Sequence, residues 1–317
     1  MAQAKKAQVI IITGPTAVGK SAISLATAKR LGGEIISADS MQIYQQMNIG
    51  TAKLMTEEQE GIEHHLLDIV DPGNRFTVAD FQQRAFQQIK LILGRNSLPI
   101  VTGGTGLYLH SLLYQMDFTR VSIDDTVRKK LEREALEQGT EKMYHRLRQL
   151  DPEAAERIHP HNTKRIIRAL EVKLNDHQGI KDFSRQLILN SDYDFRVFVI
   201  NQDRQSLYQR INQRVNLMIQ QGLEEEVRHL LDQGYDPQLP SMQGVGYKEM
   251  IGYIQGKSGY EEAIEMIKKN SRRYAKRQIT WFKKLPHAHW MLLNHEKEQK
   301  EEIERLTEEI CQIILST

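Results

Sequence analysis

Residues 8 to 31, QVIIITGPTAVGKSAISLATAKRL, place a β-branched apolar run, a glycine-bounded loop and a helical pattern in direct succession. Gly14, Gly19, Lys20 and Ser21 satisfy G-x-x-x-x-G-K-[ST], a spacing that carries chemical meaning when it joins a strand to a helix. The glycines let the backbone turn tightly, so that several amide N–H groups point inward and the following helix adds its positive end. Gly14, Pro15, Thr16, Ala17, Val18 and Gly19 are therefore expected to cradle a polyphosphate. Lys20 is expected to meet its oxygens and Ser21 to ligate Mg²⁺. The spacing alone leaves open whether that polyphosphate belongs to a nucleotide, the usual ATP-binding use of such a loop.

Four further runs read as buried strands: EIISAD (34 to 39), HLLDIVD (65 to 71), LPIVTGG (98 to 104) and FRVFVIN (195 to 201). Between the early strands lie helical stripes: Ile23, Ala26 and Leu31, then Phe81, Ala85, Ile89 and Ile92 behind a Thr77 and Asp80 capping box. Strand and helix in alternation predict a parallel sheet covered on both faces, hence an α/β fold with a P-loop NTPase-like core. The alternation stops near Asp117. From there to about Phe183 the periodicity is helical throughout, at Val127, Leu131 and Ala135, at Met143, Leu147 and Leu150, and at Ile166, Ile167, Leu170 and Leu174. The expected organisation is a core over 1–120, a helical insertion over 121–188, and core completion with a helical C-terminal region over 189–317. That last part opens with a stripe of Leu207, Ile211, Val215 and Met218 and includes a short strand at HWMLLN.

The bulk numbers narrow the function classes. With 317 residues, 40% hydrophobic, 26% charged and a formal charge of +2, the chain reads as an ordinary soluble protein whose net charge favours no partner. One cysteine excludes an intrachain disulfide and a Cys-rich zinc site, and no apolar run approaches a membrane span, so a cytoplasmic protein is expected.

Asp39 stands just past the second strand, where an open α/β sheet collects its binding residues, and a carboxylate there can accept a proton. Thr105, among the glycines of GGTGLY, can donate to an anionic oxygen. Arg210 and Arg214 lie one helical turn apart, suited either to solvent or to an anionic substrate. His64 and His65 are adjacent, so their side chains diverge and no metal reading is drawn from them. The local charge concentration is SRRYAKRQITWFKKL (271 to 285), where Arg272, Arg273, Lys276, Arg277, Lys283 and Lys284 occur without an acid. Aromatic residues lie among these cations, a combination suited to nucleic acid.

In order along the chain, GPTAVGKS, ISADSMQIY, IGTAK, HHLLD, GGTGLYL, RIIRALEV, QGLEEEV, GVGYKE and YAKRQITWF resemble the tRNA dimethylallyltransferases, the bacterial IPP transferase family. The resemblance implies a prenyltransferase that moves a dimethylallyl group from its diphosphate to N6 of adenosine 37, in tRNAs reading codons that begin with U. The phosphate in the loop is then the substrate's own leaving group. Lys20, Asp39, Thr105 and Arg214 carry the catalytic roles by this resemblance, with Asp39 holding the amine and taking its proton. Ser40, Met41 and Gln42 are implied at the flipped base. Thr163, Lys164, Arg165, Ile166 and Ile167 are implied at the anticodon stem-loop, with Arg128 a further contact. Gln243, Gly244, Gly246, Tyr247 and Lys248 are implied to hold RNA together with Arg272, Arg273, Lys276, Arg277 and Gln278. Partners are tRNA and dimethylallyl diphosphate with Mg²⁺, no membrane, and a monomeric chain.

This chain departs from the family pattern at His161 and Asn162, where an Asn-Asp pair is usual, at Asn216, where an Asp is frequent, and at QGIKDFS (178 to 184). Two rivals share parts of the pattern. A small-molecule kinase would use the loop but wants an acid ending an apolar strand, which LPIVTGG lacks. An RNA-binding module would have no use for an intact Lys20 and Ser21.

Overall fold

Six strands hydrogen-bond into a single sheet in the order β3-β2-β4-β1-β5-β6, every neighbouring pair parallel. In this computed structural model, residues 6–116, 118, 125–176, 187–294 and 297–316 are described. The strands are β1 Gln8–Thr13, β2 Gly33–Ser37, β3 His64–His65, β4 Leu98–Gly103, β5 Asp194–Asn201 and β6 His289–Leu292. The central strand β1 buries Val9, Ile10, Ile11 and Ile12 completely, as a run apolar on both faces must. Each such side chain contributes about 1.5–3 kcal/mol by leaving water.

The chain divides into two compact units, Met1–Tyr114 with Leu189–Thr317, and Gln115–Ile188. The first holds the sheet with α1 Lys20–Leu31, α2 Val78–Gly94, α3 Gly106–Leu113 and the later helices. The second is helical: α4 Asp125–Gln138, α5 Thr140–Leu150, α6 Pro152–Arg157 and α7 Thr163–Asp176. Its core is Leu131, Met143, Leu147, Ile166, Ala169 and Leu170. QGIKDFS lies outside the described residues.

After β5 come α8 Arg204–Gln220, α9 Leu223–Asp232, α10 Tyr247–Ile254, α11 Tyr260–Phe282 and α12 Gln299–Leu315. None of the described helices is long and apolar enough to cross a membrane. The Thr77 and Asp80 capping box forms as expected, with Thr77 N donating to Asp80 Oδ2 at 2.8 Å.

The run HLLDIVD is not the strand its composition predicts. Pairing ends at His65, because Leu66 and Asp68 adopt left-handed backbone with φ of 63° and 53°. The segment instead follows the loop after β2, with Ile69 N bonded to Ile43 O at 2.8 Å and Asp68 Oδ1 accepting from Lys53 Nζ at 2.5 Å.

Parallel order brings the C-terminal ends of β2, β4 and β1 side by side. Three loops therefore meet at one edge of the sheet: 14–19, 38–42 and 103–105. Ligands of open α/β sheets bind at this edge.

Candidate active site

The loop after β1 is shaped by contacts that its sequence requires. A Cβ on Gly14 would lie 2.4 Å from Ile200 O, and Gly19 has a φ of +96°, a left-handed conformation that favours glycine. Ala17 is held at a φ of 65°, and Arg210 Nε donates to its carbonyl at 3.0 Å. The loop is anchored on its other side by Gln278, which accepts from Thr16 N and donates to Gly104 O, both at 2.9 Å. A Cβ on Gly104 would stand 2.1 Å from that Gln278 amide nitrogen, so this glycine is needed for close approach.

The neighbouring loops are tied as tightly. Thr105 N donates to Ala38 O at 3.2 Å, and the Thr105 hydroxyl accepts from Ser40 N at 3.0 Å. Asp39 Oδ1 accepts from Met41 N at 2.9 Å, which fixes the carboxylate against its own turn. Further along, Glu226 on α9 gathers the amides of Asn48, Ile49 and Gly50 at 2.8, 2.8 and 3.1 Å, together with the Tyr247 hydroxyl at 2.6 Å.

Loops 14–19 and 38–42, residues 50–51 and 243–248, and one face each of α8 and α11 line a pocket of about 310 Å³. That volume suits a small ligand. Lys20, Arg214, Lys248 and Arg277 line it as cations, and Asp39 is the single carboxylate among the described lining residues. Ile211, Val215, Met218, Val245 and Ile267 give it an apolar wall. Burial and the Arg214 charge lower the Lys20 pKa to about 8, opposed by Asp39. Burial also lowers Arg214, again opposed by Asp39. The pocket thus concentrates positive charge around one base, an arrangement that binds a polyanion beside a proton acceptor.

Of the residues expected from sequence, Thr16, Ala17, Lys20, Asp39, Ser40, Met41, Arg214, Gln243, Gly244, Lys248, Arg277 and Gln278 line this pocket. Thr105 stands behind Asp39 through its bond to Ser40, and Ser21 occupies the first turn of α1. Others are placed differently from the expectation of RNA contact. Tyr247 is 1% exposed and committed to Glu226, and Gly246 N caps α10 by donating to Glu249 Oε2. Gln278, though part of the pocket wall, is buried and committed to anchoring the P-loop, and Gln42 Nε2 is bonded to Thr51 O and Ala52 O at 3.2 and 3.3 Å. Arg272 Nη1 donates to Asn212 Oδ1 at 2.6 Å, while Arg273 and Lys276 remain exposed.

In the helical unit, Ile166 and Ile167 are core residues, because the α7 stripe that packs the unit passes through them. Lys164 and Arg165 are exposed, and Thr163 shares a hydroxyl hydrogen bond of 2.7 Å with Thr140. His159, His161, Asn162, Thr163 and Lys164 line an open cavity there. Arg128 is paired with Glu132 at 2.9 Å and with the buried Glu171 at 3.3 Å.

Sequence reasoning missed Ile267 and Ser271 and took Tyr274 only as an aromatic among the cations; all three line the pocket with Gln278. Their spacings of four, three and four form one helical stripe. The stripe was visible in the sequence but overshadowed by the charges interleaved with it. Gly50 and Thr51 of the IGTAK stretch also line the pocket, and Arg214 Nη2 donates to Thr51 O at 3.4 Å.

Comparison with known proteins bears on the chain as a whole. A family model described as IPP transferase matches residues 42–285. A tRNA dimethylallyltransferase of Alkaliphilus oremlandii is 52% identical over 290 residues, covering 92% of this chain and 93% of its own. The crystal structure of a tRNA delta(2)-isopentenylpyrophosphate transferase from Staphylococcus epidermidis superposes with a TM-score of 0.72 at 42% identity, over 98% of this chain and 100% of that one. A eukaryotic dimethylallyltransferase acting on tRNA gives a TM-score of 0.82 at 28% identity, over 98% of this chain and 80% of its own. With a parallel α/β core carrying the loop, and relatives matched along nearly its whole length, the chain belongs to the IPP transferase family.

Proposed function

We propose that this enzyme transfers the dimethylallyl group of dimethylallyl diphosphate to N6 of adenosine 37 in tRNAs that read codons beginning with U. The observation that carries the proposal is the pocket itself, with its four cations, one carboxylate and apolar wall.

An exocyclic adenine amine is a weak nucleophile, so breaking of the allylic C–O bond runs ahead of attack. The bonding electrons leave with the diphosphate, and stabilising that developing charge is the main catalytic task. Loop amides, Lys20 and Arg214 surround the leaving group, with Thr105 supporting the adjoining turn. N6 then bonds to the allylic carbon, and Asp39 takes its proton. The apolar wall formed by Ile211, Val215, Met218 and Ile267 shields the five-carbon chain from water.

The donor set fits Mg²⁺ held largely through substrate. Ser21 offers a hydroxyl beside Lys20, and the pocket has one carboxylate rather than the several an all-protein cage would need. When bound, the ion neutralises charge on the diphosphate.

Adenosine 37 reaches Asp39 by leaving its stack, passing Ser40, Met41, Gln243 and Gly244. Exposed Arg273 and Lys276, and Lys164 and Arg165 of the helical unit, contact RNA phosphates.

Lys20→Ala and Asp39→Asn test the assignment. Each is expected to lower transfer at least a hundredfold. Lys20→Ala should leave tRNA affinity unchanged in a filter-binding titration. Transfer at wild-type rate by Lys20→Ala would remove the loop from the chemistry.

A further inference from the structure

Tyr274 belongs to the α11 stripe that forms one wall of the pocket, together with Ser271 and Gln278 and facing Lys20, Asp39 and Arg214. Its hydroxyl lies among the side chains of Thr105 and Gln278 and within the field of Asp39. Gln278 is bonded to the P-loop and to Gly104, and Thr105 to the turn after Asp39. The phenol therefore sits where all three site loops converge. Arg277 stacks its guanidinium 5.7 Å from the Tyr274 ring centroid. Attraction between that cation and the ring face holds the ring, and with it the hydroxyl, in place. Burial and the Asp39 charge raise its pKa, so the group keeps its proton wherever Lys20 keeps its charge.

We infer that Tyr274 is a further catalytic residue, whose hydroxyl donates a hydrogen bond to the departing diphosphate. The inference rests on the transferase reading above. In the step itself the allylic C–O bond breaks with its electron pair going to the diphosphate oxygen, the N6–C bond forms, and the amine proton passes to Asp39. Tyr274 supplies a neutral donor and retains its own proton.

Tyr274→Phe removes the hydroxyl and keeps the ring beneath Arg277. The full-length variant is compared with wild type in single-turnover transfer to unmodified tRNA, in binding of inorganic pyrophosphate, and in tRNA affinity. The expected result is a loss of about a hundredfold in the transfer rate. Pyrophosphate binding should weaken about tenfold, with tRNA affinity unchanged. Wild-type rate and pyrophosphate affinity in Tyr274→Phe would overturn the inference. So would a defect confined to Tyr274→Leu, which would assign the ring to packing or base stacking. If wild-type protein transfers nothing, the transferase reading fails on its own, and the pyrophosphate comparison still decides whether the hydroxyl contacts a diphosphate.

Discussion

Lys20 is the residue whose state most directly governs the site. Its pKa of about 8 lies below the ordinary lysine value because burial and Arg214 oppose its charge. On the proposed role the charged form binds diphosphate; it is present below that value and is lost as pH rises through it. kcat/KM, which reports the free enzyme, is therefore expected to fall above pH of about 8. A bound diphosphate restores the preference for the cation, so kcat should hold to higher pH than kcat/KM does. Parallel profiles of kcat and kcat/KM against pH check this, and a kcat/KM that stays flat to pH ~10 would contradict the assignment of Lys20. The residues of the GPTAVGKS loop were legible in the sequence because their contacts are local: glycine conformation, amide direction and a helix start all lie within eight residues. The environment of Tyr247 was not legible, for the opposite reason. Its partner Glu226 is 21 positions away, and nothing near Tyr247 in the chain announces that its hydroxyl is already bonded.

Among the elements, α11 presents two different faces. Ile267, Ser271, Tyr274 and Gln278 face the pocket, while Arg273 and Lys276 face solvent. The sequence groups Arg277 with Arg273 and Lys276 as cations suited to nucleic acid, and the structure sets it at the pocket rim over Tyr274. Arg273→Ala combined with Lys276→Ala is therefore expected to weaken tRNA binding. The log–log salt slope should fall by roughly 0.7–0.9 for each phosphate that the variant no longer neutralises. Affinity for dimethylallyl diphosphate should not change. An unchanged salt slope, measured by titration at several salt concentrations, would return that face to solvent. The loop after β2 depends on α9 in the same way. Glu226→Ala would strip partners from three backbone amides and from Tyr247, with an expected destabilisation of about 3 kcal/mol or more. A denaturant midpoint within error of wild type would show that these bonds contribute little.

For the whole molecule, alternation of apolar runs and helical stripes was enough to predict a parallel sheet and its covering helices. It did not give the strand order, since β4 inserts between β2 and β1 through pairing of Gly33 with Leu98 that no local pattern encodes. That order brings Asp39, Thr105 and Lys20 to one edge from positions up to 85 residues apart. HLLDIVD misled because β-branched composition says nothing of the left-handed backbone at Leu66 and Asp68. Helical periodicity between Val127 and Leu174 was legible because each helix of that unit carries its own stripe. On the proposed function, this sheet edge uses a nucleotide-type loop to hold a prenyl donor's diphosphate. The most direct test is transfer of label from dimethylallyl diphosphate to unmodified tRNA carrying A36-A37-A38, with Mg²⁺ present and ATP absent. Label on N6 of adenosine 37 is the predicted result. Folded protein that transfers no label, yet consumes ATP with a small acceptor, would mean that the loop holds a nucleotide instead.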